Sequence, residues 1–308
     1  MISILLASYN GEKYIAQQIE SVINQTYGDF ILYINDDCST DKTYEIIKDF
    51  EAKYPEKIKV TRNEKNSGNA KYNFMKMMLK HKDDYIMLCD QDDVWLESKV
   101  EITYNKIRQM ENKYGIHTPI LVHTDLKIVD EHLATISESL ISTVNSDYSK
   151  TKLKNEIVQN TLTGCTAMYN RRLADLIKAE PSFMVMHDWW IMLIASAFGK
   201  IDYVDKATIL YRQHRENVVG VRNMRSLKFV FKFSRNSKAI KQALEDSYRQ
   251  ARTFYNIYGN SLQLKDRKLV KQYAELIDKN KFCRILTVLS IGTVKNGFVR
   301  ILGQLIYL

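Results

Sequence analysis

Three aspartates in four positions, Asp90, Asp92 and Asp93 of "LCDQDDVW", follow directly on the apolar run "DYIMLC". Carboxylates this close repel one another, and each is costly to hold ionised beside a buried strand end. A counter-charge is required, and a lysine, a metal ion or bulk water would each supply one. An EF-hand loop would use Asp90, Asp92 and Glu101, but Trp95 stands where its turn needs glycine. A haloacid-type phosphohydrolase would carry an Asp after the first strand, where "SILLASYNGE" has none. A dinucleotide fold would need GxGxxG there, and "SYNGEKYI" has a single glycine. These exclusions leave a helix cap on a solvated loop or a nucleotide-diphosphate site in which hard oxygen ligands share Mg2+ or Mn2+ with the phosphates.

The elements that must position this loop alternate regularly through the first ninety residues. "ISILLAS", "FILYIN", "KIKVTRN" and "DYIMLCD" read as strands, and "EKYIAQQIESVINQ", "STDKTYEIIKDFEAKY" and "NAKYNFMKMMLKH" read as helices between them. Such alternation implies right-handed crossovers and a parallel sheet covered on both faces. All strand carboxyl ends then share one edge, where ligands bind. Read in order, those ends are "SYNGE", "NDDCSTD", "RNEKNSGN" and "DQDDVW", polar or acidic in every case. Four chemically suitable loops converge on one crevice. The middle is less regular: "ILVHTDLKIVDE" fits one long strand or a pair, and 136–160 reads as a polar loop with short helices. Beyond it, "LTGCTAMYNRRLADLIK" reads as a strand entering a helix, "HDWWIMLIASAFG" as a helix and "IDYVDKATILYRQH" as strands.

The ordered set "ASYNGEKYI", "NDDCSTDKT", "NSGNAKYNF", "DQDDVW", "TGCTAMY", "HDWW" and "YRQHRENVVG" closely resembles the family-two inverting glycosyltransferases, and among them the bacterial polysaccharide rhamnosyltransferases. The resemblance covers 1–221 and implies a GT-A nucleotide-diphospho-sugar transferase fold, a mostly parallel sheet flanked by helices. It implies that Ala7 and Tyr9 line the nucleotide base, that Asp37 rather than Asp36 hydrogen-bonds it, and that Asn66, Gly68 and Asn73 lie near nucleotide and sugar. The segment holding Asp37 also reads as a helix cap supplied by Ser39 or Thr40. By the same resemblance Asp90 meets the ribose, Asp92 and Asp93 meet the metal, and His214 is a later metal or diphosphate ligand. Gly164 and Cys165 would line the junction of sugar and acceptor, and Trp189 and Trp190 either stack on the acceptor or, for at least one of them, pack into the core. Inversion needs a base opposite the departing diphosphate, and Asp188 matches the family's base, partly desolvated beside two tryptophans. His187 stands where many relatives have an acid. The implied reaction moves a sugar, L-rhamnose from dTDP-L-rhamnose, to a lipid-linked or growing cell-surface glycan. UDP-hexose transfer, metal-dependent nucleotide-sugar hydrolysis and nucleotide-sugar binding without turnover are the alternatives.

Composition sets the surroundings. The 308 residues carry net charge +9, divided unevenly: −4 over 1–221 and +13 over 222–308. The expected division is therefore a glycosyltransferase domain at 1–221 and a basic, amphipathic helical region at 222–308. Helices are expected at Tyr248–Tyr258 and Asp266–Asp278, with an amphipathic stretch from Lys281 to Leu308. Lys and Arg interleaved with Phe and Leu in "NKFCRILTVLSIGTVKNGFVRILGQLIYL" suit a membrane surface or a homo-oligomer contact; no nucleic-acid-binding motif is visible. Ile285–Val294, ten uncharged residues, is half the length of a membrane span. Cys38, Cys89, Cys165 and Cys283 lack CxxC spacing and read as free thiols. The expected location is cytoplasmic, peripheral on the inner face of the membrane.

Overall fold

Every residue of β1 (Ile2–Ser8) is buried, as an uninterrupted apolar run requires when both sheet faces are covered. It lies between β2 (Phe30–Asp36) and β4 (Tyr85–Cys89), parallel to both, and β3 (Ile58–Arg62) extends the parallel block beyond β2. The connecting helices are α1 (Ile15–Ile23), α2 (Thr43–Lys53) and α3 (Ala70–Lys80). The computed structural model describes residues 1–144, 147–214 and 237–308.

Past β4 the sheet becomes mixed. Its order is β3-β2-β1-β4-β8-β6-β9-β5, with β7 paired to β6. β5 (Val94–Trp95) is antiparallel to β9 (Lys200–Arg212), and β8 (Ala167–Asn170) is antiparallel to both β4 and β6 (Ile120–Val129). β7 (Thr135–Ser137) closes the group against β6. The two stretches open to a strand-pair reading are single strands of ten and thirteen residues, β6 and β9. They pair in parallel with register shifts around Asp125, and the pairing carries Arg212 level with Val129. α4 (Lys99–Tyr114) is an element the sequence reading did not separate from the irregular middle. Its buried stripe of Val100, Thr103, Ile107 and Met110 is diluted by charges, which masks the period.

The chain divides into two compact units. The first takes 1–140, 162–180 and 199–221 and contains the sheet; the second takes 141–161, 181–198 and 222–308. The expected boundary between 221 and 222 lies outside the described residues. In the second unit α5 (His187–Phe198), α6 (Ser237–Tyr258), α7 (Leu264–Ala274), α8 (Lys281–Ile291) and α9 (Phe298–Tyr307) are the main helices. Trp190, Tyr248, Phe254, Tyr258 and Tyr273 are buried there. Among the described residues no helix is long and apolar enough to cross a membrane.

Candidate active site

The ends of β1 and β2 are tied by short polar contacts. The Asn10 N–H donates to Ser39 Oγ at 3.0 Å, and Asn10 Oδ1 accepts from the Thr40 N–H at 2.8 Å. Asp36 is spent on structure: Arg62 Nε lies 3.1 Å away, and Ser39 donates through its N–H and hydroxyl. Ser39 thus closes a turn on Asp36 instead of capping α2. The Asp37 carboxylate accepts from Asn63 Nδ2 at 2.5 Å and from the Ser67 N–H and Oγ at 2.9 and 2.6 Å. Asn66 Nδ2 donates to the Asp37 carbonyl at 2.7 Å and its Oδ1 accepts from the Gly68 N–H. Gly68 has φ +80°, a conformation that favours glycine. Asn73 is buried and exchanges hydrogen bonds with Asn35, so its amide fixes α3 against β2.

Ala7 and Tyr9 lead from β1 into the acidic loop's neighbour. Ala7 is buried and Tyr9 is exposed. Gln91 bridges the Tyr9 backbone in both directions: Oε1 accepts its N–H at 2.8 Å, and Nε2 donates to its carbonyl at 3.0 Å. A side chain at Gly11 would collide with the Gln91 amide. Neither Gln91 nor Gly11 stood out in the sequence, although both lie inside the quoted motifs.

The acidic loop is held from β9. Arg212 donates its N–H to Asp93 Oδ1 at 3.1 Å and its Nε to the Asp92 carbonyl at 2.8 Å. Its guanidinium reaches Gln17 Oε1 at 2.6 Å and stacks 4.6 Å from the Tyr14 ring. Two residues on, His214 Nε2 lies 2.7 Å from Asp92 Oδ2, with its ring 4.9 Å from Tyr14. The three expected metal ligands therefore divide. Asp92 pairs with His214, whereas Asp93 groups with Asp90 and Cys165, their ligand atoms within 4.8 Å of one another. Asp90, assigned to the ribose, belongs to this second group.

Asp93 is 0% exposed and its Oδ2 has no hydrogen-bond partner. Burial, then the charges of Asp92 and Asp90, hold its carboxyl well above the usual carboxylate range. Two hard carboxylates with an orphaned oxygen fit a small divalent cation. Burial raises the Cys165 thiol, so it lines the group without offering a thiolate. Beneath them lies a charge the sequence reading did not place: Lys99, 0% exposed, its Nζ without a hydrogen-bond partner and 4.6 Å from the Trp95 ring. Burial pushes its ammonium down to about 8, against the pull of Cys165, Cys89 and Asp93. The one available signal was spacing, since Lys99, Thr103 and Ile107 share a stripe of α4.

The remaining candidates lie in α5 and at the Gly164–Thr166 turn. Gly164 and Cys165 are buried in that turn, within the first unit. Asp188 stands in the first turn of α5, its Oδ1 accepting the Trp189 N–H at 2.6 Å. His187 is buried, and burial drives its imidazole down to about 3, so it stays neutral. Trp189 donates its indole N–H to the Glu156 carbonyl at 2.6 Å. Trp190 corrects the expectation of acceptor stacking: it is 0% exposed, packed edge-on to Phe254 at 5.6 Å, with no face left for a sugar.

Residues 3–177 match the model of glycosyl transferase family 2. The chain belongs to that family. The dTDP-rhamnosyl transferase RfbG of Shigella flexneri is 28% identical over 70% of this chain and 73% of its own length. The putative teichuronic acid biosynthesis glycosyltransferase TuaG of Bacillus subtilis is 27% identical over 64% of this chain and 73% of its own. Solved structures with the same fold include S. aureus TarS 1-349 in complex with UDP-GlcNAc, at TM-score 0.54 and 17% identity, covering 95% of this chain and 92% of that one. The mannosyltransferase PcManGT of Pyrobaculum calidifontis, in complex with GDP-Man and Mn2+, superposes at TM-score 0.57 with 11% identity, covering 94% and 74%. The fold is GT-A, an α/β sheet flanked by helices, and the family is one of glycosyltransferases.

Proposed function

We propose that this glycosyltransferase is metal-dependent and inverting, and that it moves L-rhamnose from dTDP-L-rhamnose to a growing or lipid-linked bacterial glycan. The observation that carries the reading is the unfinished acid cluster at the carboxyl edge of the sheet, where Asp93 Oδ2 is buried and unpartnered beside Asp90, and Asp92 meets His214. Asp90 and Asp93 would hold Mg2+ or Mn2+, with the Asp92–His214 pair as the neighbouring donors. Bound there with the diphosphate, such a cation would stabilise negative charge on the leaving group. The similarity to a dTDP-rhamnosyl transferase supports rhamnose as the sugar.

The chain's own residues do the rest. The ends of β1 and β2, joined through Asn10 and Ser39, and of β2 and β3, joined through Asp37 and Asn63, form the nucleotide side of the crevice. Asp188 takes the acceptor hydroxyl proton as that oxygen bonds to the anomeric carbon and the bond to diphosphate breaks. His187, neutral through burial, adds no competing charge next to it.

A donor screen by thermal shift, with and without Mn2+, tests the assignment. The largest metal-dependent shift is expected with dTDP-L-rhamnose; a larger one with a UDP-hexose would replace the donor, and none with any nucleotide sugar would remove the reading. Asp188→Asn should keep the shift and lose transfer by about 10²–10⁴-fold. Free sugar released without acceptor would mark hydrolysis instead.

A further inference from the structure

The last two helices are inside-out. α9 turns Phe298, Val299, Leu302 and Ile306 to solvent, with Phe298 80% exposed, while Gln304 is buried. Gln304 is there to satisfy backbone: its Nε2 donates to the Thr293 carbonyl and its Oε1 accepts the Lys295 N–H, both at 2.9 Å. At about 100° per residue the four apolar side chains form a single stripe. α8 repeats the pattern with Phe282, Leu286 and Leu289, Phe282 being 71% exposed. A helix facing water alone carries the opposite arrangement. Scattered apolar surface residues need no explanation, but contiguous ones mark an interaction face.

Cations stand at the rim of this face. A cavity of about 290 Å³ is lined by Lys241, Lys281 and Arg284 together with Ile306 of the α9 stripe, and Glu245 is its one acid. Lys281 Nζ donates to the Ile306 carbonyl at 2.6 Å, and Arg284 Nη1 to the Leu308 carbonyl at 3.1 Å. These contacts set the start of α8 beside the end of α9, so both stripes belong to one neighbourhood with a basic border. Residues 222–308 as a whole carry +13.

We infer that α8 and α9 dock the second unit on an anionic lipid bilayer. Their apolar stripes enter the headgroup–acyl boundary, and Lys241 and Lys281 meet lipid phosphates, while Arg284, its guanidinium spent on the carbonyls of Leu276, Ile277, Lys279 and Leu308, holds the end of α9 in place. Charge decides between this partner and a second copy of the chain. A self-complementary contact would bring two strongly basic surfaces together, whereas anionic lipid neutralises them. The inference does not depend on the donor or the reaction.

Co-sedimentation of the full chain with phosphatidylcholine vesicles, with and without phosphatidylglycerol, tests it. Binding is expected on the anionic vesicles and should weaken in high salt. Phe298→Ser with Leu302→Ser should reduce it by at least about tenfold, and Lys241→Glu with Lys281→Glu should do the same on anionic vesicles only. Unchanged thermal unfolding and nucleotide-sugar binding would show that the variants remain folded; Phe298→Ser alone serves if the pair does not. Wild-type protein that stays in the supernatant, or a double variant that sediments like wild type, overturns the inference. So does a concentration-dependent dimer that Phe298→Ser with Leu302→Ser abolishes and vesicles leave intact.

Discussion

Asp37 and Asp93 sit just past two strands that flank β1, and both are almost wholly buried, yet they have opposite surroundings. Asp37 accepts from Asn63 and twice from Ser67, so neutral donors satisfy it within its own neighbourhood. Asp93 has the Arg212 N–H on Oδ1, the protonated Cys165 thiol beside it, no geometric partner on Oδ2, and two further aspartates nearby. A saturated carboxylate is scaffold and contributes stability. A carboxylate left short of donors stores a cost that a cation can relieve, which is the condition a binding site must meet.

Substitutions can break this contrast. Asp92→Asn should have the largest consequence, a loss of transfer on the order of 10³-fold, with the metal-dependent thermal shift gone and folding kept. Glu156 extends the comparison to a buried acid served by Thr161, through its Oγ1 at 2.8 Å and its backbone N–H, and burial pushes its carboxyl up to about 8. The folded state therefore holds a proton that the unfolded chain releases above its ordinary value. The associated stability is complete at acid pH and fades as pH climbs to about 8, by on the order of 5 kcal/mol. Urea unfolding at a series of pH values should show that slope, and Glu156→Gln should flatten it. Asp37→Asn should lower stability by about 2 kcal/mol, because it puts an N–H₂ against donors that lose their acceptor. Asp93→Asn should change stability by less than about 1 kcal/mol, or raise it, since it removes a buried, poorly compensated carboxylate. Equal losses from the last two substitutions would erase the distinction between scaffold and site.

The parallel half of the sheet was legible because β1, β2 and β4 are mainly apolar runs bounded by polar loops, with the more exposed β3 at its edge. That same regularity marks four converging strand ends in the sequence. The mixed half was not, because β5 is two residues long and β9 acquires its direction from pairing parallel to β6 and antiparallel to β5. Of the site, the acids and His214 were readable as types, but their grouping was not. Which carboxylate faces His214 depends on Arg212 gripping the loop from a strand more than a hundred residues away in sequence. Lys99 was hidden for a simpler reason: lysines are rarely wholly buried, so its position on the apolar stripe of α4 carried little weight. Trp190 was ambiguous in sequence for another reason, since an aromatic next to the Asp188 carboxylate suits a sugar platform and a helical core equally well.

The Gln91 bridge makes the first loop and the acidic loop a single heritable part. With Gly11 leaving room for the glutamine amide, neither loop carries its shape on its own. Anyone grafting the acidic loop of a relative onto this chain to change its donor must move residues 9–11 with it. A transplant that respects only the aspartates would deliver the ligands and lose the hinge pin that sets their height.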